Sequence, residues 1–390
     1  MRIIIYNNSQ KAFFALVRAG LWTDVESTDI GIQGYTEPVD WEEVYRLAEE
    51  QSVVGVVLQG IEWCKEHNPG FVASLSQELL LQWIGEVQLI EQQNKAMNEF
   101  VSWLIEKLRK EDVYEILVKG QGIAQCYNRP LWRASGDVDL LLSESNYDKA
   151  KKVLLPLATD VEQELTLFKH IGMTINGSFM VELHGTLHCR LSRRVDRGID
   201  EAQRDVFFNG NVRSWQDGIT QVFLPGVDDD VIFLFTHVLK HFYQGGVGIR
   251  QICDLSRFLW TYRKKVDVKL LEKRLQSMGI VSEWKAFAAY MVDFLGIPVE
   301  AMPLYSSQKK WSRKAEKING FIMEVGNFGH NRDCSYSRKY PLVARKAISL
   351  WRRTADSTRH FLIFPMNSIR VWLHVLTTGI AVVIQGRRWK

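Results

Sequence analysis

The sequence contains few of the features that mark cross-linked, repetitive or membrane-spanning proteins. Its 390 residues include five cysteines, an odd number, and no two of them have the Cys-x-x-Cys spacing of a zinc site or a redox dithiol. There is also no internal repeat and no low-complexity linker. Widely spread cysteines without such pairs are typical of reduced proteins, so we expect a cytoplasmic location.

Long apolar runs are absent as well. The N-terminal MRIIIYNNSQKAFF lacks the apolar stretch and the small-residue cleavage site of a signal peptide. The most apolar late segment, residues 371–384, is interrupted by His374 and Gly379 and is shorter than the roughly 20 residues that cross a bilayer. We therefore expect no membrane span and predict a buried helix in this segment.

What the sequence does contain is the composition of a globular protein. Hydrophobic residues make up 46% of the chain and charged residues 24%, so a core can form. Because domains usually have roughly 100–200 residues, the chain is long enough for two or three packing units.

The net charge of +4 conceals an asymmetry along the chain. Residues 327–390 carry twelve Lys and Arg against two Asp and Glu, or +10, which leaves −6 for residues 1–326. A basic C-terminal region interleaved with Trp311, Trp351 and Trp372 is compatible with contact to RNA or another polyanion. A solvated helix face and tryptophans in a core explain the same pattern.

The spacing of apolar residues divides the chain into three regions and predicts an α+β fold. Residues 1–110 form an N-terminal helical region, with one helix capped by Asp40 and Glu43 in a capping box and a long helix from about 76 to 109. Residues 111–226 form an α/β core with a small mixed sheet. Residues 227–390 form a larger C-terminal helical domain with the basic tail.

Short apolar strands define the α/β core. The segments YEILVK, DVDLLL, LTLFKH, MTIN and FMVELH have the apolar runs or the alternation of strands, and NGS between the last two is a hairpin turn. IAQCYN and NYDKAKKVLLPLA are the predicted helices between them. We expect these strands to form one sheet.

Two acidic residues in one of these strands indicate a metal site. Asp137 and Asp139 are two residues apart, so the alternation of a strand sends both side chains to the same face. Carboxylates that close repel each other unless a cation lies between them, and hard divalent cations prefer oxygen ligands. The alternative is that one aspartate caps the strand end and the other faces water.

The surrounding motifs favour the metal site. Lys119, Gly120, Gln121 and Gly122 stand between a strand and a helix, where glycines allow backbone N–H groups to approach a phosphate. Glu182 follows in a later strand, FMVELH, which we expect to lie beside the strand of the two aspartates. The strands would then bring a third acid to the pair.

The order of these motifs resembles the nucleotidyltransferase superfamily related to DNA polymerase beta. LVKGQGIAQCYNRPLWRASGDVDLLL, VELHGTLH and FLFTHVLKHFYQGGVGIRQICDLSRFL are similar to a bacterial family of uncharacterised nucleotidyltransferases, as is WEEVYRLAEEQSVVGVV, so the similarity spans residues 40–260. It implies that Asp137 and Asp139 bind a metal ion on the phosphates of an NTP. Both would share a second ion with Glu182, Mg²⁺ or Mn²⁺, that activates the acceptor hydroxyl.

Three further residues are predicted to bind the nucleotide or to orient the site. Arg133 has the planar guanidinium of a phosphate clamp, with a surface salt bridge as the alternative. His184 shares a strand face with Glu182 and would orient it or contact the substrate, unless it is a core residue. Asp254 lies on a helix expected to cover the site, although a pair with Arg250 four residues earlier explains it as well.

The glycine turn departs from the superfamily pattern. Gly-Ser or Gly-Gly is usual there, whereas Gln121 follows Gly120 here, so phosphate contact falls to backbone amides, Lys119 or Gln121. His237 and His241 have the spacing of a metal pair, but no HExxH motif accompanies them. We interpret their helix as lining the cleft.

The sequence thus predicts transfer of a nucleoside monophosphate from an NTP to an acceptor hydroxyl, with release of pyrophosphate. The acceptor can be a small molecule, a protein side chain or an RNA end. The alternative is a non-catalytic module on the same fold that binds a nucleotide or a partner.

Overall fold

The computed structural model describes residues 7–25, 38–165, 169–327 and 342–374, and within them the chain has an α+β fold. The helices are α1 Asn8–Leu21, α2 Trp41–Glu50, α3 Val54–His67, α4 Gln77–Arg109, α5 Gly120–Ala124, α6 Glu144–Leu154, α7 Arg193–Phe208, α8 Val227–Gln244, α9 Ile249–Thr261, α10 Val268–Met278, α11 Val281–Asp293, α12 Lys309–Val325 and α13 Leu342–Phe361. The strands are β1 Glu115–Val118, β2 Asp137–Leu142, β3 Ala158–Val161, β4 His170–Ile175, β5 Phe179–His184, β6 Val212–Asp217 and β7 Thr220–Pro225.

Five strands form a small mixed sheet in the order β1-β2-β5-β4-β3. β2 and β5 pair in parallel, and the other neighbours are antiparallel. Parallel neighbours need a crossover connection, which α6, β3 and β4 supply here. This crossover places β5 directly beside the strand that carries the two aspartates.

Tight turns with residues of positive φ connect the strands of both hairpins. Between β4 and β5, Asn176 and Gly177 have φ values of 54° and 69°, the left-handed conformation that a type I′ hairpin turn requires. The predicted NGS turn is therefore confirmed. The second hairpin, β6–β7, is absent from the sequence-based prediction, although its two turn residues, Gly218 and Ile219, place glycine at the first central position, which is the signal of a type II′ hairpin turn.

Hydrophobic residues form two cores on either side of the main sheet. One core joins helices from both ends of the chain, among them α1, α3, α8, α9 and α11. The other lies on the opposite face of the sheet and includes residues of α4 and α6. The predicted three-region division stays a prediction, but the packing unites the N-terminal and C-terminal helices.

Helices α1 and α3 meet at two glycines. A Cβ atom on Gly20 would lie 1.9 Å from the backbone oxygen of Val56, and one on Gly60 would lie 2.1 Å from that of Leu16. No side chain fits at such distances, so the two backbones touch where these glycines stand. The contact fixes α1 against the helix that follows α2.

Several local predictions agree with these elements. Asp40 caps α2 by accepting a hydrogen bond from the backbone N–H of Glu43, but the side chain of Glu43 binds Arg46 instead of completing a capping box. The long helix is α4, and DVDLLL is β2 over its full length. The short helix after β1 begins at Gly120 and ends at Ala124, earlier in the chain than IAQCYN.

Part of the predicted structure lies outside the described residues. This applies to residues 166–168 of LTLFKH, to residues 375–384 of the predicted buried helix and to much of the basic tail. Residues 365–374 are helical. In the described part of the chain, no helix combines the length and the apolar character needed to cross a membrane.

Candidate active site

Strand alternation and parallel pairing bring three carboxylates together. In β2, residues 138, 140 and 142 belong to the core that α4 and α6 share, so Asp137 and Asp139 lie on the opposite face of the sheet. Asp139 is the direct register partner of Glu182 on β5. One oxygen from each of the three carboxylates lies within 4.8 Å of the others. The three predicted acids, remote in the sequence, therefore form one cluster.

Lys119 approaches the cluster from a strained backbone position. Its Nζ lies 3.0 Å from Oδ1 of Asp139. Its backbone has φ 59° and ψ −144°, a region that residues other than glycine rarely occupy and that costs on the order of 1–3 kcal/mol. Gly120 follows, also with positive φ. The turn thus holds an ammonium group against a buried carboxylate at the cost of backbone strain.

Two histidines contact the cluster from the other side. His184 Nε2 lies 2.7 Å from Oδ1 of Asp139 and 3.3 Å from Oε2 of Glu182. His170, on β4, places its Nε2 3.1 Å from the same oxygen of Glu182. The sequence-based prediction contains His184 but not His170. The NGS hairpin is the signal that could have found it, because that turn makes His170 the register partner of His184.

The pKa values show how these charges balance. The pKa of Asp137 is raised, first by the negative charge of Asp139 and then by burial. Burial also acts to raise the pKa of Asp139, but the charge of Lys119 and the hydrogen bond from His184 hold it below its usual value. Although burial opposes it, hydrogen bonds to Asp139 and Glu182 raise the pKa of His184. The charge of Lys119 and the hydrogen bonds of His184 therefore offset part of the negative charge of the cluster.

The donor set suits a hard divalent cation. Asp137, Asp139 and Glu182 offer three carboxylate oxygens at close range, and carboxylate oxygen is the ligand that Mg²⁺ prefers in proteins. A second group in the described residues, His170, Glu182 and His184, shares Glu182 and adds nitrogen donors, which suit softer transition metals better. The all-oxygen group is therefore the better match to the predicted Mg²⁺ or Mn²⁺.

The side chain of Gln121 points into the protein. Its Nε2 donates to the backbone oxygen of Asn94 at 3.3 Å, and its Oε1 accepts a hydrogen bond of 2.8 Å from Ser135. Only backbone N–H groups of the turn and Lys119 then remain for a phosphate. Packing explains why residue 122 is glycine, since a Cβ atom there would lie 2.6 Å from the Leu224 side chain.

Arg133 and Asp254 form a buried ion pair with each other. Both side chains are more than nine-tenths buried, and the two oxygens of Asp254 accept hydrogen bonds from Nε and Nη2 of Arg133. Nη1 of Arg133 donates to Ser135, and the hydroxyl of Tyr127 donates to Asp254. These contacts differ from the alternatives that the sequence offered. The ion pair of Arg133 is buried and not on the surface, and Arg250 donates to the backbone oxygen of Ala134, although its charge also acts to lower the pKa of Asp254.

Helix α8 supplies the wall that faces the cluster. The rings of His237 and His241 meet edge to face at 4.4 Å, and burial lowers both pKa values, that of His241 to about 3. Within the described residues they form no metal-ligand group with a carboxylate. His237 and Lys240 line a cavity next to Lys119, which agrees with the interpretation of this helix as part of a cleft.

The comparisons with known proteins give one match. A family described as uncharacterised nucleotidyltransferase matches residues 37–296. That range includes the three carboxylates, the glycine turn and the Arg133–Asp254 pair. Neither the curated proteins nor the solved structures contain a match to this chain.

Proposed function

Because the chain belongs to the family of uncharacterised nucleotidyltransferases, which matches more than half of its length, we propose that it transfers a nucleoside monophosphate from an NTP to an acceptor hydroxyl. The observation that carries this proposal is the pairing of Asp139 with Glu182 beside Asp137, three carboxylates on one sheet face. In the reaction, the hydroxyl oxygen bonds to the α-phosphorus and the bond to the leaving pyrophosphate breaks. The hydroxyl proton passes to water.

The three carboxylates would hold two divalent cations, Mg²⁺ or Mn²⁺. When bound, these ions neutralise charge on the phosphates and lower the pKa of the acceptor hydroxyl. Asp137 and Asp139 would supply carboxylate oxygens to both ions, and Glu182 would supply one to a single ion. The contact of Asp139 with its register partner keeps the donors close together before any substrate arrives, which reduces the cost of ordering them.

The remaining side chains position the donors and the phosphates. His184 donates to Asp139 and contacts Glu182, so it fixes the orientation of two carboxylates at once. Lys119 belongs to the glycine turn and pairs with Asp139. In the complex with the NTP, it would pair with a phosphate oxygen. The Arg133–Asp254 pair fixes the segment before β2 against α9 and so acts on the site through Asp137.

The test is nucleotide transfer with a matched set of variants. The purified protein is incubated with each NTP labelled at the α-phosphate, Mg²⁺ and cell extract, and the labelled product is identified. We expect label transfer by the wild type and by Asp148→Asn, an exposed acid on α6, but not by Asp137→Asn or Glu182→Gln. Equal labelling by all four proteins would exclude the proposed mechanism.

A non-catalytic binding module on the same fold is the second candidate. The observation in its favour is that Lys119 and His184 already contact Asp139. In a binding module, these contacts would offset the negative charge of Asp139 without a metal ion. Calorimetric titration with a non-hydrolysable NTP separates the two. Binding that strengthens with Mg²⁺ supports the enzyme, whereas strong binding that ignores Mg²⁺ supports the module.

A further inference from the structure

A basic cavity lies beside the carboxylate cluster. It has a volume of about 90 Å³, enough for a phosphate group because one water needs roughly 10–15 Å³ of such space. The segment after β5 and helix α8 form its walls. In the part of the chain that the structure describes, no Asp or Glu lines it. Its lining includes three cationic side chains, Lys119, Arg190 and Lys240, together with four histidines and two threonines.

Lys240 is the strongest indication of a ligand. It lies partly buried on the cavity side of α8, and no described residue forms a hydrogen bond or ion pair with its ammonium group. Its pKa is lowered, first by burial and then by the positive charges of Lys119 and Arg190, and the negative charges of Glu182 and Asp139 offset only part of this effect. An ammonium group held near two other cations is stabilised by an anion that binds among them.

The position of the cavity relative to the sheet suggests which substrate it serves. The register across the sheet runs from Val118 through Asp139 and Glu182 to Gly172 on β4. The glycine turn that follows β1 therefore lies on one side of the cluster, and His170 and His184 lie on the other, where the cavity begins. Apart from Lys119, the cavity shares no residue with the turn.

In-line transfer separates the two substrates in space. The attacking and leaving oxygens stand on opposite sides of the α-phosphorus. If the turn binds the triphosphate, the acceptor approaches from the β5 and β4 side. We propose that the basic cavity binds a phosphate group of the acceptor, so that the acceptor is a phosphorylated molecule with a free hydroxyl. The identification of the ligand as the acceptor rests on the proposed function, but binding of an anion in the cavity can be measured independently of it.

The first measurement is calorimetric titration of the full chain with inorganic phosphate, without metal. We expect one site in the wild type, about tenfold or greater weakening in Lys240→Met, and a change within about threefold in Lys240→Arg. Lys269→Met, which removes an exposed lysine on α10, should bind as the wild type does. No phosphate binding by the wild type, or equal binding by Lys240→Met, would overturn the proposal. Circular dichroism checks that each variant is folded. If Lys240→Met does not fold, Lys240→Arg still tests whether a positive charge at this position supports phosphate binding.

The second measurement separates an acceptor phosphate from the triphosphate of the NTP. With Mg²⁺ present, a non-hydrolysable NTP should bind Lys240→Met within about twofold of the wild type and should not displace inorganic phosphate. Displacement of phosphate, together with an equal loss of NTP affinity in Lys240→Met, would assign the cavity to the triphosphate and overturn the acceptor assignment.

The third measurement distinguishes failure of this inference from failure of the proposed function. The double variant Asp137→Asn, Asp139→Asn should bind inorganic phosphate at least as tightly as the wild type, because two nearby negative charges are removed. Lys240-dependent phosphate binding without any transfer activity would overturn the proposed function and support the anion site. Transfer activity with phosphate binding that ignores Lys240 would overturn the anion site alone.

Discussion

Arg133 and Asp254 are joined by two hydrogen bonds, of 3.0 and 2.6 Å, between side chains that stand 121 residues apart in the sequence. The pair connects the segment before β2 to α9 and therefore the sheet to the C-terminal helices. Its guanidinium nitrogens bind Asp254, Ser135 and the backbone of Ala134. This arrangement favours a positioning role for both residues over direct phosphate contact.

Breaking this pair should be costly. Arg133→Met leaves a buried carboxylate without its partner, so we expect the free energy of unfolding to fall by about 3–5 kcal/mol. Chemical denaturation measures the loss. Arg46→Met is the matched control, because Arg46 pairs with Glu43 and Glu50 on an exposed face and such pairs contribute about 1 kcal/mol or less. Equal losses in the two variants would contradict the structural role of the buried pair.

The two aspartates of β2 should differ in their effect on stability. Asp137→Asn removes a repulsive charge, because the pKa of Asp137 is raised chiefly by Asp139, and it should stabilise the metal-free protein by about 1 kcal/mol. Asp139→Asn removes the partner of Lys119 and His184 and should destabilise it by about 3 kcal/mol. Denaturation in the presence of a chelator tests this. Stability changes of the same sign would contradict the charge balance.

Glu115 should make stability depend on pH. Its side chain is buried, and burial raises its pKa to about 7 from 4.5. Between these values the folded protein retains a proton that the unfolded chain releases, so stability falls as pH rises, by up to about 3 kcal/mol. Below the lower value both states are protonated and the effect vanishes. Above the higher value the loss is complete and constant.

The variant Glu115→Gln tests this dependence. From pH 5 to pH 8 its unfolding free energy should decrease less than that of the wild type, because glutamine does not titrate. Glu111→Gln, which replaces an exposed glutamate four residues before the start of β1, should follow the wild-type curve. A Glu115→Gln curve parallel to that of the wild type would show that Glu115 titrates normally.

The glycine contact between α1 and α3 should not tolerate a methyl group. Gly60→Ala forces a Cβ atom against the backbone of Leu16, and we expect a loss of about 3 kcal/mol from the resulting shift. Gly85→Ala in α4 is the control, since open space surrounds that position, and alanine there should add up to about 1 kcal/mol through helix propensity. A neutral Gly60→Ala would contradict the close approach of the two backbones.

The sequence was sufficient to predict β2, β5 and the acids of the site. DVDLLL alternates in the way that β2 requires, and the NGS turn specifies the hairpin that carries Glu182. The sequence analysis also placed the strand of Glu182 beside that of the aspartates, but it did not predict that the two strands pair in parallel, because no local pattern encodes how strands pair across a crossover. The long α4 followed from its apolar spacing alone.

Contacts between distant residues could not be predicted in this way. The pairing of Arg133 with Asp254 depends on where α9 packs, whereas the sequence offered only the local alternative of Arg250. The inward direction of Gln121 likewise depends on Asn94, which belongs to α4. By contrast, the β6–β7 hairpin had a local signal in the glycine of its Gly218-Ile219 turn, which the prediction did not use.

The parallel pairing of β2 with β5 also links ion affinity to conformational stability. Glu182 follows Asp139 by 43 residues in the sequence (182 − 139), and the two become neighbours only through the β2–β5 register. An unfolded chain therefore has no preassembled set of these ligands, and a divalent ion held by them would bind the native state almost exclusively. Chelation would then act on the whole protein as a denaturant does, by shifting the equilibrium towards unfolded molecules.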